Sequence, residues 1–244
     1  MPGNNPDTCI WFVGAGPGDP GLITVKGKAL LDEADVLVYA GSLVNPAIVD
    51  ACGAGEKIDS WGMKLDDIVA LMADRAGKGK KVVRLHSGDP ALYGSVVEQI
   101  AELKLRQIAV RIVPGVSSVF AAAAALTTEF TPRGVSDTLI ITRPAGKTLE
   151  RDDIAGLSQF PATMVFFLGS GHFSGITGKL TCPRDTPAVV IYHASWPDQV
   201  IVSGTVADIA EKAQAAGITR TALLIVGHAV KGTESGYQRS HLYS

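Results

Sequence analysis

The sequence has little of what marks metal or nucleic-acid binding. Its 244 residues include three cysteines, Cys9, Cys52 and Cys182, and no two of them have the spacing of a metal-ligating pair. The formal net charge is −2, so the chain lacks the basic surplus that nucleic-acid binders use against phosphates. We therefore expect no metal site and no nucleic-acid partner.

Long hydrophobic runs are also scarce. The 17 residues from Ile112 to Thr128 carry no charge, but Pro114 and Gly115 interrupt them. A membrane-spanning helix needs about 20 mainly apolar residues, so we expect no membrane span. The odd number of cysteines and the lack of a secretory signal fit a reducing cytoplasm, and residues 1–8 have the composition of a loose tail.

The sequence lacks a convincing dinucleotide loop. Residues 16–21 formally match the pattern G-x-G-x-x-G, but Pro17 and Pro20 have no N–H for a pyrophosphate, and Asp19 would repel it. No acidic residue follows the second predicted strand, as that pattern requires. We therefore disfavour an oxidoreductase that uses a dinucleotide.

A second glycine-containing segment also fails as a phosphate loop. Gly146-Lys147-Thr148 resembles the end of a Walker A motif. That motif requires a glycine five positions earlier, where this chain has Ile141. We expect no nucleotide phosphate to bind there.

What the sequence does contain is three strands that each end in a glycine- and proline-rich loop. The strands are predicted over residues 9–13, 81–85 and 110–113, and the loops after them span residues 14–24, 86–94 and 114–118. In a parallel sheet, ligands bind in the crevice outside the carboxyl ends of the strands. The sequence therefore predicts one ligand site, built from these first, second and third loops.

The pattern of helices and strands divides the chain into two different halves. The first half alternates strand and helix, which predicts a parallel α/β sheet. The second half has five strand-like segments and fewer helices, which predicts a mixed sheet. We place the boundary near Gly115, which gives domains over residues 9–115 and 116–244. The second-half strands are predicted over residues 139–142, 164–168, 188–192, 200–203 and 222–226.

The three loops together resemble the tetrapyrrole methylase family. The matching motifs are Gly14-Ala15-Gly16-Pro17-Gly18-Asp19, Gly88-Asp89-Pro90 and Pro114-Gly115-Val116-Ser117-Ser118. The resemblance implies the two-domain α/β fold of that family, with an N-terminal parallel sheet, a C-terminal mixed sheet and S-adenosylmethionine in the cleft between them. It also implies a homodimer.

Further segments resemble the branch of this family that methylates carbon 11 of precorrin-4 in cobalamin biosynthesis. They are Tyr39 to Val44, Trp61 to Met63, His86 to Gly94, Pro114 to Leu126 and Tyr192 to Asp198, and the resemblance extends from Ile10 to about Val230. Gly41 departs from it, since many relatives have Asp there. The resemblance implies an S-adenosylmethionine-dependent C-methyltransferase. Cobalt-precorrin-4 is an alternative substrate, as is the substrate of another family member, such as a different precorrin.

The resemblance also implies which residues contact the methyl donor. From the three loops these are Pro17, Gly88, Asp89, Leu92, Ser117 and Ser118, and from the second half Leu168, Ala194 and Ala222. S-adenosylmethionine has a sulfonium cation and no phosphate, so it needs carbonyls, carboxylates and hydroxyls rather than a cluster of cations. Without the resemblance, Leu168 and Ala222 fit a hydrophobic core, and Asp89 before Pro90 fits a turn.

Several arginines and rings are candidates for binding the tetrapyrrole substrate. A polycarboxylate macrocycle needs cationic side chains, for which arginine is favoured. We expect carboxylate contacts from arginines predicted at strand ends or in loops, and ring-face contacts from apolar side chains near them. These residues are Arg84, Arg133 and Arg143, and Trp61, Met63 and Tyr93, respectively.

Catalysis by this mechanism requires little from side chains. Direct displacement of a methyl group gains mostly from positioning, so we expect no nucleophilic residue. A base is not required, and its candidates are His86, Tyr93 and His193. A lone histidine is more often structural.

Two further alternatives remain open on the sequence. Another branch of the family would act on diphthamide or ribosomal RNA, and the near-neutral charge disfavours RNA. A nucleotide-binding regulatory module without catalysis would not need all three loops intact.

Overall fold

The computed structural model describes residues 9–41, 43–146, 149–169, 171–235 and 238–239. The chain divides into two compact units, residues Met1–Ser118 (unit 1) and Val119–Ser244 (unit 2). The domain boundary near residue 115 stays a prediction. The predicted tail, Ser42 of the second matching segment, and Lys147 and Thr148 of the Walker-like segment lie outside the described residues.

Unit 1 contains a five-stranded sheet in which every strand is parallel to its neighbours. The strand order is β3-β2-β4-β1-β5. This arrangement confirms the parallel sheet predicted for the first half. The strands are β1 (Cys9–Gly14), β2 (Val36–Tyr39), β3 (Glu56–Asp59), β4 (Val82–His86) and β5 (Ala109–Val113).

In the described part of unit 1, four helices accompany this sheet, and the core lies on both of its faces. Alternate residues of β4 point to opposite faces, so Val83 packs with Leu31 and Ile48, and Val82 packs with Met72 and Leu103. Burial on both faces explains why these strands are nearly continuous apolar runs. The helices are α1 (Val25–Asp32), α2 (Pro46–Asp50), α3 (Leu65–Gly77) and α4 (Val96–Leu105).

Helix α1 begins after a separate 3₁₀ turn, which residues Pro20–Leu22 form. The Thr24 side chain then accepts the Gly27 N–H at 3.0 Å and caps α1. The cap sets the helix start, whereas the apolar spacing alone does not mark it.

Unit 2 contains a second five-stranded sheet, with the order β6-β7-β10-β8-β9. Strands β6 and β7 are parallel, and the other neighbours are antiparallel, which confirms the predicted mixed sheet. The carboxyl ends of β6, β7 and β8 therefore meet the amino end of β10 at one edge. The strands are β6 (Leu139–Thr142), β7 (Thr163–Phe166), β8 (Pro187–Tyr192), β9 (Val200–Thr205) and β10 (Ala222–Val226).

The helices of unit 2 are short. Phe166 and Leu224 pack with Ile209 on one face of the sheet, and Val165 and Ile225 lie in the core cluster on the other face. Within the described ranges, no helix is long and apolar enough to cross a membrane. The helices are α5 (Ser118–Ala125), which starts at the unit boundary, α6 (Ile154–Leu157), α7 (Phe173–Thr177) and α8 (Ile209–Ala215), and a 3₁₀ segment follows at His228–Ser235.

Candidate functional site

The first, second and third loops meet at the carboxyl edge of the unit 1 sheet. They follow β1, β4 and β5, and β1 lies between the other two strands. The Ala15 N–H donates to the His86 carbonyl at 2.7 Å, and Gly16 and Gly88 exchange hydrogen bonds of 3.2 and 2.8 Å. This confirms that the glycine-rich loops share one edge.

Glycines allow the three loops to touch backbone to backbone. A Cβ on Gly14 would lie 2.6 Å from the Gly115 Cα, and a Cβ on Gly115 would lie 2.2 Å from the Gly88 carbonyl oxygen. Real Cβ atoms do not approach backbone so closely, so each position requires glycine. The sequence motifs included these glycines, but their spacing gave no sign of this mutual contact.

Asp89 ties the second loop to the third. One carboxylate oxygen accepts the Ala91 N–H at 2.7 Å, which makes the turn that its position before Pro90 favours. The other oxygen accepts the Gly115 N–H at 2.8 Å. Asp89 therefore shapes the edge, and its direct contact with a methyl donor stays a prediction.

The remaining predicted donor contacts of unit 1 also lie in these loops. Pro17, Gly88 and Ser117 are buried, whereas Leu92 and Ser118 are half-buried. No lysine or arginine occurs in the three loops. The edge therefore offers backbone groups and hydroxyls without the cations that a phosphate favours, which fits a sulfonium ligand better than a nucleotide phosphate.

The second loop has a strained backbone around Tyr93. Tyr93 and Ser95 have φ of 55° and 48°, and a Cβ on Gly94 between them would lie 2.5 Å from the Pro90 carbonyl. A left-handed conformation raises the energy of a non-glycine residue by about 1–2 kcal/mol. Tyr93 is 39% exposed. The predicted ring-face contact Tyr93 therefore lies at a strained and partly exposed position of the second loop.

Arg84 lies inside unit 1 rather than at the end of a strand, where the sequence pattern had placed it. It is the third residue of β4 and only 5% exposed. Its guanidinium donates to Gln99 Oε1 at 3.2 Å and to Ser60 Oγ at 2.8 Å. Burial lowers the pKa of Arg84 to about 10, although Asp59 acts in the opposite direction. These donors join α4 to the loop after β3, so the structure disfavours Arg84 as a substrate ligand.

His86 is buried on the same face of the sheet. Its ring stacks on Phe12 with the centroids 5.5 Å apart, and its Nε2 has no hydrogen-bond partner in the described part of the chain. Burial, and then the neighbouring Arg84, lower the pKa of His86 to about 3. The side chain is neutral near pH 7 and is a weak base, which disfavours it as the catalytic base.

Asp59 orders the loop that carries Trp61 and Met63. One of its carboxylate oxygens accepts the N–H groups of Gly41 and Trp61, both at 2.9 Å. A Cβ on Gly41 would lie 2.1 Å from the other oxygen. Trp61 is 70% exposed, and Met63 is half-buried. Asp59 therefore requires a glycine at position 41, where the chain departs from the resemblance. The sequence did not predict this contact.

The three donor contacts predicted in unit 2 lie at one edge of its sheet. Ala222 pairs with Tyr192, and two residues further along, Leu224 pairs with Phe166. Leu168 and Ala194 follow the strands of these partners, and Leu168 is 59% exposed with φ of 54°. Ala194 and Ala222 are buried. Their contact with a methyl donor stays a prediction.

His193 lies in the same edge and is held on three sides. Its Nδ1 is 2.9 and 3.0 Å from the two carboxylate oxygens of Asp198. The ring stacks between Tyr192 and Trp196, at centroid distances of 3.8 and 4.5 Å. His193 was predicted from the sequence as a candidate base, whereas Asp198 had no predicted role.

The two remaining arginines lie at different edges of unit 2. Arg143 follows β6 at the edge that carries Leu168. Arg133 lies between Phe130 and Ser136, which both bond to Thr163 at the opposite end of β7. The Arg133 guanidinium donates to the carbonyl of Arg239 at 2.7 Å. The structure therefore does not bring Arg133 and Arg143 together, although both were predicted to bind carboxylates of one substrate.

Comparison with known proteins agrees with this architecture. The family model of tetrapyrrole (corrin/porphyrin) methylases matches residues 9–210. The chain therefore belongs to the tetrapyrrole methylase family, as its three loops predicted. The two-domain α/β fold expected from that resemblance is confirmed by a solved relative, described below.

Relatives of similar length share much of the sequence. The cobalt-precorrin-4 C(11)-methyltransferase of Methanocaldococcus jannaschii is 46% identical over 95% of this chain and 96% of its own. The precorrin-4 C(11)-methyltransferase of Pseudomonas aeruginosa is 43% identical over 96% of this chain and 94% of its own. Both alignments include the two units.

Solved structures show the same fold. The X-ray structure of a cobalamin biosynthetic enzyme, a cobalt precorrin-4 methyltransferase, matches with a TM-score of 0.87 and 42% identity, over 91% of this chain and 96% of its own. The Thermus thermophilus uroporphyrin-III C-methyltransferase, in complex with S-adenosyl homocysteine, matches with a TM-score of 0.79 and 28% identity, over 91% and 93% of the two chains.

Proposed function

We propose that the protein is an S-adenosylmethionine-dependent C-methyltransferase that methylates carbon 11 of precorrin-4 or cobalt-precorrin-4 in cobalamin biosynthesis. The observation that carries the proposal is the set of three interlocked, cation-free loops at the carboxyl edge of unit 1. Identities of 46% and 43% to relatives named for these two substrates support the acceptor.

The loops of unit 1 suit S-adenosylmethionine as the methyl-donor substrate. We propose that backbone groups of Pro17 and Gly88, the Leu92 side chain and the hydroxyls of Ser117 and Ser118 hold it. Asp89 contributes by fixing the second and third loops to each other through the Gly115 amide. In unit 2, we propose contacts from Leu168, Ala194 and Ala222, which share one sheet edge.

The acceptor is a macrocycle with several carboxylates. We propose that Arg143 binds a carboxylate and that Trp61, Met63 and Tyr93 pack against the ring, since Trp61 and Tyr93 are exposed apolar surfaces. Arg84 supports the loop after β3 and helix α4 from inside unit 1. Because positioning alone can contribute about 7–11 kcal/mol to such a transfer, no nucleophilic side chain is needed.

Calorimetric titration with S-adenosylhomocysteine, followed by a methyl-transfer assay on both acceptors, tests the proposal. We expect micromolar binding that a Pro17→Ala/Asp89→Ala double variant loses, and transfer to at least one of precorrin-4 and cobalt-precorrin-4. Failure of the wild type to bind would contradict the donor assignment. Binding without transfer to either acceptor would contradict the substrate assignment alone.

A further inference from the structure

We propose that His193 is the base that accepts the proton lost by the methylated macrocycle, and that Asp198 is the residue that positions its ring. This inference rests on the proposed methyltransferase function. Positioning of the two substrates does not by itself supply a group that accepts the proton, and the proposal assigns this role to His193. The reason lies in the charge balance of the transfer and in the geometry of the loop after β8.

Methyl transfer to carbon leaves a positive charge to be removed. The bond between the methyl carbon and sulfur breaks with its electron pair on sulfur, which becomes a neutral thioether. A π pair of the macrocycle forms the new carbon–carbon bond, so the positive charge passes to the macrocycle. Loss of a macrocycle proton to Nε2 of His193 neutralises that charge, and the imidazolium later returns the proton to water.

Asp198 fixes which nitrogen of His193 is basic. A carboxylate can only accept hydrogen bonds, so Nδ1, 2.9 and 3.0 Å from its oxygens, carries the ring proton. In the neutral ring the lone pair is then on Nε2. That atom makes no hydrogen bond to any residue in the described ranges, and the side chain is 15% exposed. A carboxylate in this position also stabilises the imidazolium that forms.

The loop after β8 restrains the His193 ring through stacking contacts and through a strained backbone. Stacking between Tyr192 and Trp196 fixes its plane. His193 and Ser195 have φ of 48° and 75°, and the His193 N–H donates to the Thr221 carbonyl at 3.2 Å, next to the predicted donor contact at Ala222. A strained backbone conformation persists only where neighbouring contacts hold it in place, and such conformations are concentrated at functional sites.

Stability alone is a poor explanation for this pair. The Asp198 side chain is 61% exposed, and even a fully charged pair at the surface contributes only about 0–1 kcal/mol. The other histidine candidate, His86, is buried with its pKa lowered to about 3, and it lies in unit 1. Of the two, only His193 combines an oriented ring with an accessible surface.

A His193→Gly variant gives the sharpest test. Glycine adopts the φ of 48° without strain, and removal of the ring leaves a space between Tyr192 and Trp196 for added imidazole. We expect kcat to fall by about 100-fold, the usual contribution of a general base, with unchanged S-adenosylhomocysteine affinity. Imidazoles should restore turnover, and the more basic ones should restore more.

Two further variants separate the roles. Asp198→Asn should lower kcat with little change in KM, because the amide can hold the ring in the wrong tautomer. His228→Gln is the matched control, since this exposed histidine follows β10 at the opposite edge of the sheet and should keep the wild-type kcat. His193→Gln repeats the main test if the glycine variant does not fold.

Wild-type turnover by the His193 variants would overturn the proposal. A loss of turnover that no imidazole restores, with donor binding intact, would also overturn it, because the ring would then act only by packing. Absence of methyl transfer by the wild type itself would instead refute the proposed function. The wild-type assay and the donor titration therefore distinguish the two failures.

Discussion

Gly41 has no side chain, and the carboxylate of Asp59 lies where one would be. Asp59 occupies the space that a Cβ on Gly41 would need, and it accepts the N–H groups of Gly41 and Trp61. An aspartate at this position would place a second carboxylate against the first. Asp59 would have to move, and both amides would lose their acceptor.

We therefore expect Gly41→Asp to destabilise the protein by about 1–3 kcal/mol, the usual effect of losing such hydrogen bonds. Denaturant unfolding measures the change. Asp59→Gly in the Gly41→Asp background removes the repulsion and should restore part of the loss. A Gly41→Asp protein as stable as the wild type would show that Asp59 is not the obstacle.

Asp152 is the residue whose charge should make stability depend on pH. Burial of its side chain, which is 5% exposed, tends to raise its pKa. Lys179 at 2.7 Å and the Ala145 N–H at 2.6 Å outweigh this effect, so the pKa lies below its usual value. A lowered pKa in the folded state stabilises the protein above the unfolded value of about 3.9, and this stabilisation is lost as the pH falls through the folded value.

The test compares unfolding free energies from pH 7 downwards. Asp152→Asn should be less stable than the wild type at pH 7, and the difference should shrink as the pH approaches the acid range. Asp153→Asn, at the neighbouring position, is the control and should keep the wild-type pH profile. A constant difference at every pH would mean that Asp152 acts through packing and not through its charge.

At the scale of elements, the three loops of unit 1 act as one packed unit. Gly115→Ala would place a Cβ 2.2 Å from the Gly88 carbonyl and 2.8 Å from the Gly14 Cα, so the second or first loop must shift. We expect S-adenosylhomocysteine affinity to fall by about tenfold or more, equivalent to 1.4 kcal/mol. Calorimetric titration measures it. Gly55→Ala is the matched control, because a Cβ there meets nothing within 4 Å. Equal affinities for the two variants would contradict the packing argument.

Strands β6 and β10 could be predicted to the residue, because hydrophobic spacing and flanking residues agree at both ends. Where side chains bond to the backbone, the prediction was less accurate. Helix α8 starts at Ile209, because Asp208 accepts the Thr205 N–H at 2.7 Å and forms a turn before it. Helix α7 lies in a glycine-rich segment whose composition gives no helix signal.

In the candidate site, features set by local sequence could be predicted, whereas features set by distant residues could not. The loops at the carboxyl edge of unit 1 were predictable, because glycine and proline after a strand are local signals. The burial of Arg84 was not, since it depends on Ser60 and Gln99, which are 24 and 15 residues away in the chain. The same holds for the pairing of Gly41 with Asp59, which are 18 residues apart in the chain.

At the scale of the whole molecule, donor binding should add to the stability of the fold. A ligand that binds only the folded form raises the free energy of unfolding by about 2.7 kcal/mol when present at 100 times its Kd. The loops that are proposed to hold the donor belong to unit 1, whose sheet edge they complete through the Gly16–Gly88 hydrogen bonds. We therefore expect S-adenosylhomocysteine to raise the temperature of the unfolding transition that includes unit 1.

Scanning calorimetry with and without the ligand tests this expectation. The Gly115→Ala variant should lose most of the shift at the same ligand concentration, because its loops no longer present the donor contacts together. Gly55→Ala should keep the shift, which separates a loss of binding from a general loss of stability. If saturating ligand releases heat on binding but leaves every transition at its original temperature, the folded and unfolded chains bind it equally. The three loops would then not form a donor site.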